Sequence, residues 1–300
     1  MPTNLLFRPS GSAASPLTEI SVSPKSKRIA CGTLDARVLI LDAKSGKPRK
    51  AFNGHEQVIS AVRFSKSGDS VFSGSWDGTT RMWRTSRRPA ENHEMKHNTA
   101  VKSLAVAPGG RKGAAGSRDG QIKVFSTKSL KCIRNLSAHT RDVSGLGFAR
   151  NGKHLVSVGW DGSCYLWDMK EYSLINEILH TKERMRCLAI GPDINRIFIG
   201  LHSGTIKSLS LDEPNRVTDL NAHSDVVTSL SLLPSGTHLV SGGWDRRVNV
   251  WNLVTGEVVD SIRLETGVCA VGTCMKPPSV FMSDYSGSLI SWHPESIQSL

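Results

Sequence analysis

Histidine, serine and aspartate recur together at fixed spacing, and that trio is able to do nucleophilic chemistry. His55 precedes Ser73 by 18 residues and Asp77 by 22; His139, Ser157 and Asp161 keep both spacings, as do His223, Ser241 and Asp245. In a hydrolase the imidazole takes the serine proton and the carboxylate orients the imidazole. Two features turn that reading aside. The set occurs three times, whereas catalysis needs one site. Each serine also falls inside a strand-like run, away from a sharp, exposed turn of the nucleophile-elbow kind. Each aspartate is followed six residues later by an indole: Trp83, Trp167 and Trp251. A structural role fits better. A buried carboxylate must be paired, an indole N–H needs an acceptor, and a serine hydroxyl can relay between indole and imidazole. Metal-ligand spacings and a glycine-rich phosphate loop are absent from the sequence, so neither catalysis, a metal nor a cofactor is expected.

The elements that position these residues follow from a longer period. Asp35, Asp77, Asp119, Asp161, Ser203, Asp245 and Ser286 lie 42 residues apart, except for a last step of 41. Such a period marks a repeat architecture. Within residues 53–94, short β-branched and aromatic runs (Ile59 to Phe64, Ser70 to Ser75, Thr80 to Arg84) alternate with Gly/Asp turns. That pattern indicates an antiparallel meander of four strands, here a to d.

The combination resembles the WD40-repeat family over roughly residues 17–293. Gly54-His55, Ala138-His139, Ala222-His223, Trp167-Asp168 and the near-match Trp251-Asn252 carry the resemblance. It implies that His55/Ser73/Asp77/Trp83, His139/Ser157/Asp161/Trp167 and His223/Ser241/Asp245/Trp251 form hydrogen-bonded sets tying strands a, b and c together. The other units depart from the pattern. Leu41 and Leu209 replace the tryptophan, Ala115 replaces the serine beside His97, Asp119 and Phe125, and no histidine matches Trp292.

The expected fold is all-β: a seven-bladed WD40 β-propeller with four antiparallel strands per blade, in a single domain over residues 1–300. The repeats run over about 17–52, 53–94, 95–136, 137–178, 179–220, 221–262 and 263–293. Blades cannot bury both faces alone, so they stack around an axis. The last repeat supplies three strands, and residues 4–8 are expected to add the fourth and close the ring; residues 296–300 are the competing segment.

In such a meander the d–a and b–c connections share one face. The residue before each turn position is Leu34, Trp76, Arg118, Trp160, His202, Trp244 or Tyr285, and strand a opens with Ser60, Lys102, Ser144, Arg186, Thr228 and Cys269. Trp76, Trp160, Trp244 and Tyr285, with Lys102, Arg118, Arg184 and Arg186, form the candidate partner-binding face, because aromatics and arginine anchor interfaces. The alternative is that the indoles merely pack against neighbouring blades.

Net charge is +12, and it is uneven: residues 1–150 hold 26 Lys+Arg against 10 Asp+Glu, residues 151–300 hold 12 against 16. Lys27, Arg28, Lys47, Arg49, Arg84, Arg87 and Arg88 form a candidate surface on blades 1–3 for nucleic acid, ribosomal RNA or an acidic partner, so an RNA- or ribosome-associated propeller is the alternative function; a solvated rim is the plainer reading of the charge. The six scattered cysteines read as small buried hydrophobes. The N-terminal stretch lacks a signal-peptide core, and no run is long and apolar enough for a membrane span. A cytoplasmic, monomeric interaction module within a larger complex is the functional expectation.

Overall fold

The computed structural model describes residues 3–8, 15–85, 93–191, 196–211, 213, 216–275 and 277–298. These residues form seven four-stranded antiparallel sheets. The second blade shows the plan: Ile59–Phe64, Ser70–Ser75, Thr79–Arg84 and His93–Lys96 pair in sequence order, from the axis outward. Strand a of each blade contacts strand a of the next, and Val268–Met275 contacts Leu17–Val22, so the ring is closed.

Sandwiched position explains strand composition. Strand b lies between neighbouring blades on both faces, and all six residues of Ser70–Ser75 are buried. Strand d lies on the rim, and Ser173–His180 is exposed over most of its length. Among the described residues, the buried apolar side chains gather into seven clusters, each spanning two adjacent blades. One joins Ala30, Val38, Ile40 and Phe52 of blade 1 to Ile59, Val62, Phe64, Val71 and Trp83 of blade 2. Hydrophobic stabilisation is therefore a property of neighbouring pairs, as in other repeat folds.

The last blade is completed by Thr3–Phe7, antiparallel to Leu289–Trp292. Leu6 and Phe7 pack on the cluster that joins blades 7 and 1. The chain passes so close to the turn at Gly46 that a Cβ there would meet the Leu6 carbonyl. The other terminal segment does not pair as a strand among the described residues. Glu295–Ile297 is a 3-10 turn whose Ser296 N–H donates to Asp260 (2.9 Å), with Ile297 buried.

Every strand a carries one register shift against strand b, always around its second residue. A β-bulge re-aims a side chain. The residues at these seven bulges are Thr18, Ser60, Lys102, Ser144, Arg186, Thr228 and Cys269. Three hydroxyls among them cross to the next blade: Thr18 donates to the Ile59 carbonyl, Ser60 to Val101 and Ser144 to Met185. Blades 3 and 5 carry cations at this position, and the following residue takes over the bond. Ser103 donates to the Val143 carbonyl (2.7 Å), and the Cys187 thiol to Val227 (3.6 Å). These inter-blade bonds were missed in the sequence reading, although their 42-residue recurrence was present in it.

Candidate functional site

The three His/Ser/Asp/Trp sets assemble with one geometry. In blade 2 the Trp83 indole donates to Ser73 Oγ (2.7 Å), Ser73 Oγ lies 2.7 Å from His55 Nε2, and His55 Nδ1 lies 2.7 Å from Asp77. The corresponding distances are 2.9, 2.8 and 3.0 Å in blade 4 and 3.0, 2.9 and 2.9 Å in blade 6. One proton order satisfies the chain: the indole fills a serine lone pair, the serine proton goes to Nε2, and Nδ1–H faces the carboxylate. The imidazole is then neutral. Burial holds His55 and His223 below the ordinary histidine range, against the pull of their aspartates. Burial alone would raise Asp77, but Thr79, His55 and the Glu56 N–H outweigh it and hold the carboxyl below its usual value.

Ser73, Ser157 and Ser241 are fully buried and bonded to two partners each. Such a hydroxyl reaches no substrate. The set joins the loop before strand a to strand b, the b–c turn and strand c.

The third blade shows what the missing serine does. Ala115 and Phe125 are both fully buried, with no polar atom for an imidazole to meet. His97 turns to Thr80 of blade 2 instead (3.0 Å), and its Nδ1 is buried without a partner. In blade 7, where Met282 stands in the serine register opposite Ile290, the Trp292 indole N–H has no acceptor. Burial pushes His97 down to about 4, helped by Lys123. The unfolded chain, near 6.5, therefore binds the proton first as pH falls. The stabilising contribution is complete above pH 6.5 and declines toward pH 4, on the order of 3 kcal/mol in all. Melting temperature should fall over that window, and His97→Gln should flatten the dependence when Tm is followed from pH 7.5 to 4.5.

The second constellation surrounds the channel mouth on the face of the b–c turns. Trp76, Trp244 and Tyr285 are 47%, 40% and 53% exposed. Trp160 is half-buried, and its indole nitrogen has no partner. Lys102 Nζ sits between two indoles, 4.7 Å from the Trp76 ring centre and 5.5 Å from that of Trp160. The Arg184 guanidinium covers Trp160 at 5.1 Å. Cations held against aromatic faces in this way are stabilised electrostatically. Across the mouth, His202, Trp244 and Tyr285 make an edge-to-face chain, each step 6.4 Å. His202 was not singled out from the sequence as a site residue. Beneath lies a channel of about 750 Å³.

Burial pushes the Lys102 ammonium down, offset by Asp142 at 3.7 Å and reinforced by the nearby Arg186 and Arg118. Arg118, Arg184 and Arg186 hold no ion pair among the described residues.

The residues expected to form a nucleic-acid surface are differently placed. Lys27, Lys47 and Arg84 are exposed. Arg28 instead donates to the Gly68 carbonyl (2.8 Å) and covers the Phe64 ring at 5.7 Å, bridging blades 1 and 2. Arg49 is paired with Asp42. Arg87 and Arg88 lie outside the described residues. Among the described residues, no three His, Cys, Asp or Glu side chains converge as a metal site, and no helix is long and apolar enough to cross a membrane.

The family model described as "WD domain, G-beta repeat" matches residues 46–84, 91–126, 130–168 and 214–252, just over half of the chain. The chain belongs to the WD40-repeat family. Those windows include the three complete sets and the third blade; blades 1, 5 and 7, where the sets are incomplete, account for most of the unmatched sequence. Among similar proteins, "Periodic tryptophan protein 2 homolog" of Dictyostelium discoideum is 27% identical, over 79% of this chain and 28% of its own length. "Autophagy-related protein 16" of Arabidopsis thaliana is 23% identical over 80% and 48%. "Probable coatomer subunit beta'" of Schizosaccharomyces pombe is 29% identical over 58% and 22%. The chain thus spans half or less of the length of these WD40 relatives.

Proposed function

We propose that this WD40 propeller is a non-catalytic scaffold that binds a protein or peptide partner at the aromatic mouth, as a monomeric component of a larger assembly. The supporting observation is the exposed array of Trp76, Trp244 and Tyr285 beside Lys102, Arg184 and Arg186 at one channel. Exposed aromatics of this size are a cost in water unless a partner covers them. Their residue types match those that dominate binding energy at interfaces. One similar protein is by its name a coatomer subunit, which suits work inside an assembly. Six free cysteines suit a reducing, intracellular compartment such as the cytoplasm.

The test is affinity purification of the tagged chain, with and without nuclease, beside Trp76→Ala and Trp244→Ala. The reading expects the same folded stability, nuclease-resistant partners on the wild type and their loss from both variants. Partners retained by both variants would remove the mouth as the site.

A second reading places nucleic acid on blades 1–3, favoured by exposed Lys27, Lys47 and Arg84. The engagement of Arg28 and Arg49 within the fold weakens it. On this reading, affinity for a generic RNA falls steeply with salt, and charge reversal at Lys27 and Lys47 lowers the slope by about 2. No binding at low salt would dismiss it.

A further inference from the structure

The mouth is chemically divided. Lys102, Arg184 and Arg186 lie on blades 3 and 5, and two of them are delivered by bulges; Arg63 of blade 2 also lines the channel, paired there with Glu19 (3.0 Å). Lys102 and Arg186 occupy the position at which Thr18, Ser60 and Ser144 lock one blade to the next. In both blades the neighbouring residue makes the lock instead, through Ser103 and Cys187. The cationic side chains are thereby released from a structural bond and line the channel. Arg184 lies beside them on Trp160. The one carboxylate paired with this group is Asp142, 3.7 Å from Lys102. Like charges gathered this closely create a site that an anion would stabilise.

The opposite side differs. His202, Trp244 and Tyr285 form a continuous aromatic edge, with exposed Leu34 on the next blade but one beyond Trp244. No cation is stacked on Trp244 or Tyr285 among the described residues. This side offers apolar area with polar ring atoms at its margin, suited to a large apolar side chain.

Resting on the reading that the mouth binds a peptide, we propose that it selects an acidic side chain adjacent to an aromatic or large aliphatic one. The carboxylate is taken by Lys102, Arg184 and Arg186, and the apolar side chain by Trp244 and Tyr285. Arginine's forked donors match a carboxylate, which a neutral or basic side chain would not satisfy. A basic peptide would meet the cation group directly and be repelled.

The test uses a phage library of random dodecapeptides selected on the immobilised full chain, followed by titration of the best synthetic peptide. Enriched peptides should carry Asp or Glu beside Phe, Trp, Tyr or Leu. Arg184→Glu should weaken the best peptide at least ten-fold, as should changing the peptide's acid to its amide. Trp244→Ala should weaken it by a similar factor. Arg184 is exposed, so its variant keeps the fold, and an unchanged melting curve documents that. Enriched peptides that lack acids yet depend on Trp244 would overturn the acidic selectivity while leaving the mouth as the site. No enrichment, or peptides indifferent to both variants, would overturn both. Preferential binding of a fluorescein-labelled decauridine RNA, lost with Arg184→Glu, would assign the cations to a phosphate backbone and overturn the peptide proposal.

Discussion

Trp167→Ala is expected to lower the unfolding free energy by about 3–5 kcal/mol. Trp167 is 2% exposed and sits in the cluster that joins blade 3 to blade 4, beside Leu155 and Met169. Its removal leaves a cavity between two blades and takes the indole donor from Ser157. The polar share can be separated from the packing share. Ser157→Ala leaves both the Trp167 N–H and His139 Nε2 without their partner and should cost about 1–3 kcal/mol. Trp167→Phe removes the N–H with less loss of volume. The two changes combined should cost less than their sum, because replacing both polar partners by apolar groups leaves fewer orphans. Blade 3 carries that combination naturally, as Ala115 and Phe125. Urea unfolding of the single and double variants reads the coupling. Additivity to within about 0.3 kcal/mol would mean that the bonds carry no joint role.

Removing residues 1–8 should have the second large effect. The deletion strips the outer strand from blade 7, unpairs the outer edge of Leu289–Trp292 and uncovers the cluster under Leu6 and Phe7. Two partly buried apolar side chains and the lost strand pairing together amount to about 4–6 kcal/mol. At about 2–4 °C per kcal/mol, Tm should drop by roughly 10 °C or more. The open edge should also promote association between copies. A synthetic peptide of residues 1–8 should restore part of the lost Tm, because the edge it fits is otherwise intact. A melting curve unchanged by the deletion would mean that blades 7 and 1 hold the ring without the strand.

The fold was legible because its period is long and strict. Seven turn residues at steps of 42 residues, the last of 41, set the blade count, and pairing partners followed from the meander. The location of the closing strand also followed, since three strands in the last repeat leave one edge to fill; it runs over Thr3–Phe7, one residue earlier than expected. What stayed hidden depends on contacts between blades. The lysine between two indoles draws on Trp76, Lys102 and Trp160, one from each of three successive blades. The turn of His97 toward Thr80 depends on what Ala115 and Phe125 withhold. The sequence shows the charge of Arg28 and Arg49 but not that the Gly68 carbonyl and Asp42 meet them. The bulges were written in the sequence as Thr18, Ser60, Ser144 and Thr228 at one register. Small hydroxyl residues in a strand attract no notice until their acceptors are seen.

On the proposed function, the residues that hold the ring are distinct from those that face a partner. The most direct measurement is a paired scan, by chemical unfolding and by titration of one selected peptide, of Ser73→Ala, Ser157→Ala and Ser241→Ala against Trp76→Ala, Trp244→Ala and Tyr285→Ala. The serine variants should lose about 1–3 kcal/mol of stability and keep peptide affinity. The mouth variants should keep stability to within about 0.5 kcal/mol and lose affinity. Mouth variants that unfold while leaving affinity unchanged in the folded fraction would contradict the separation.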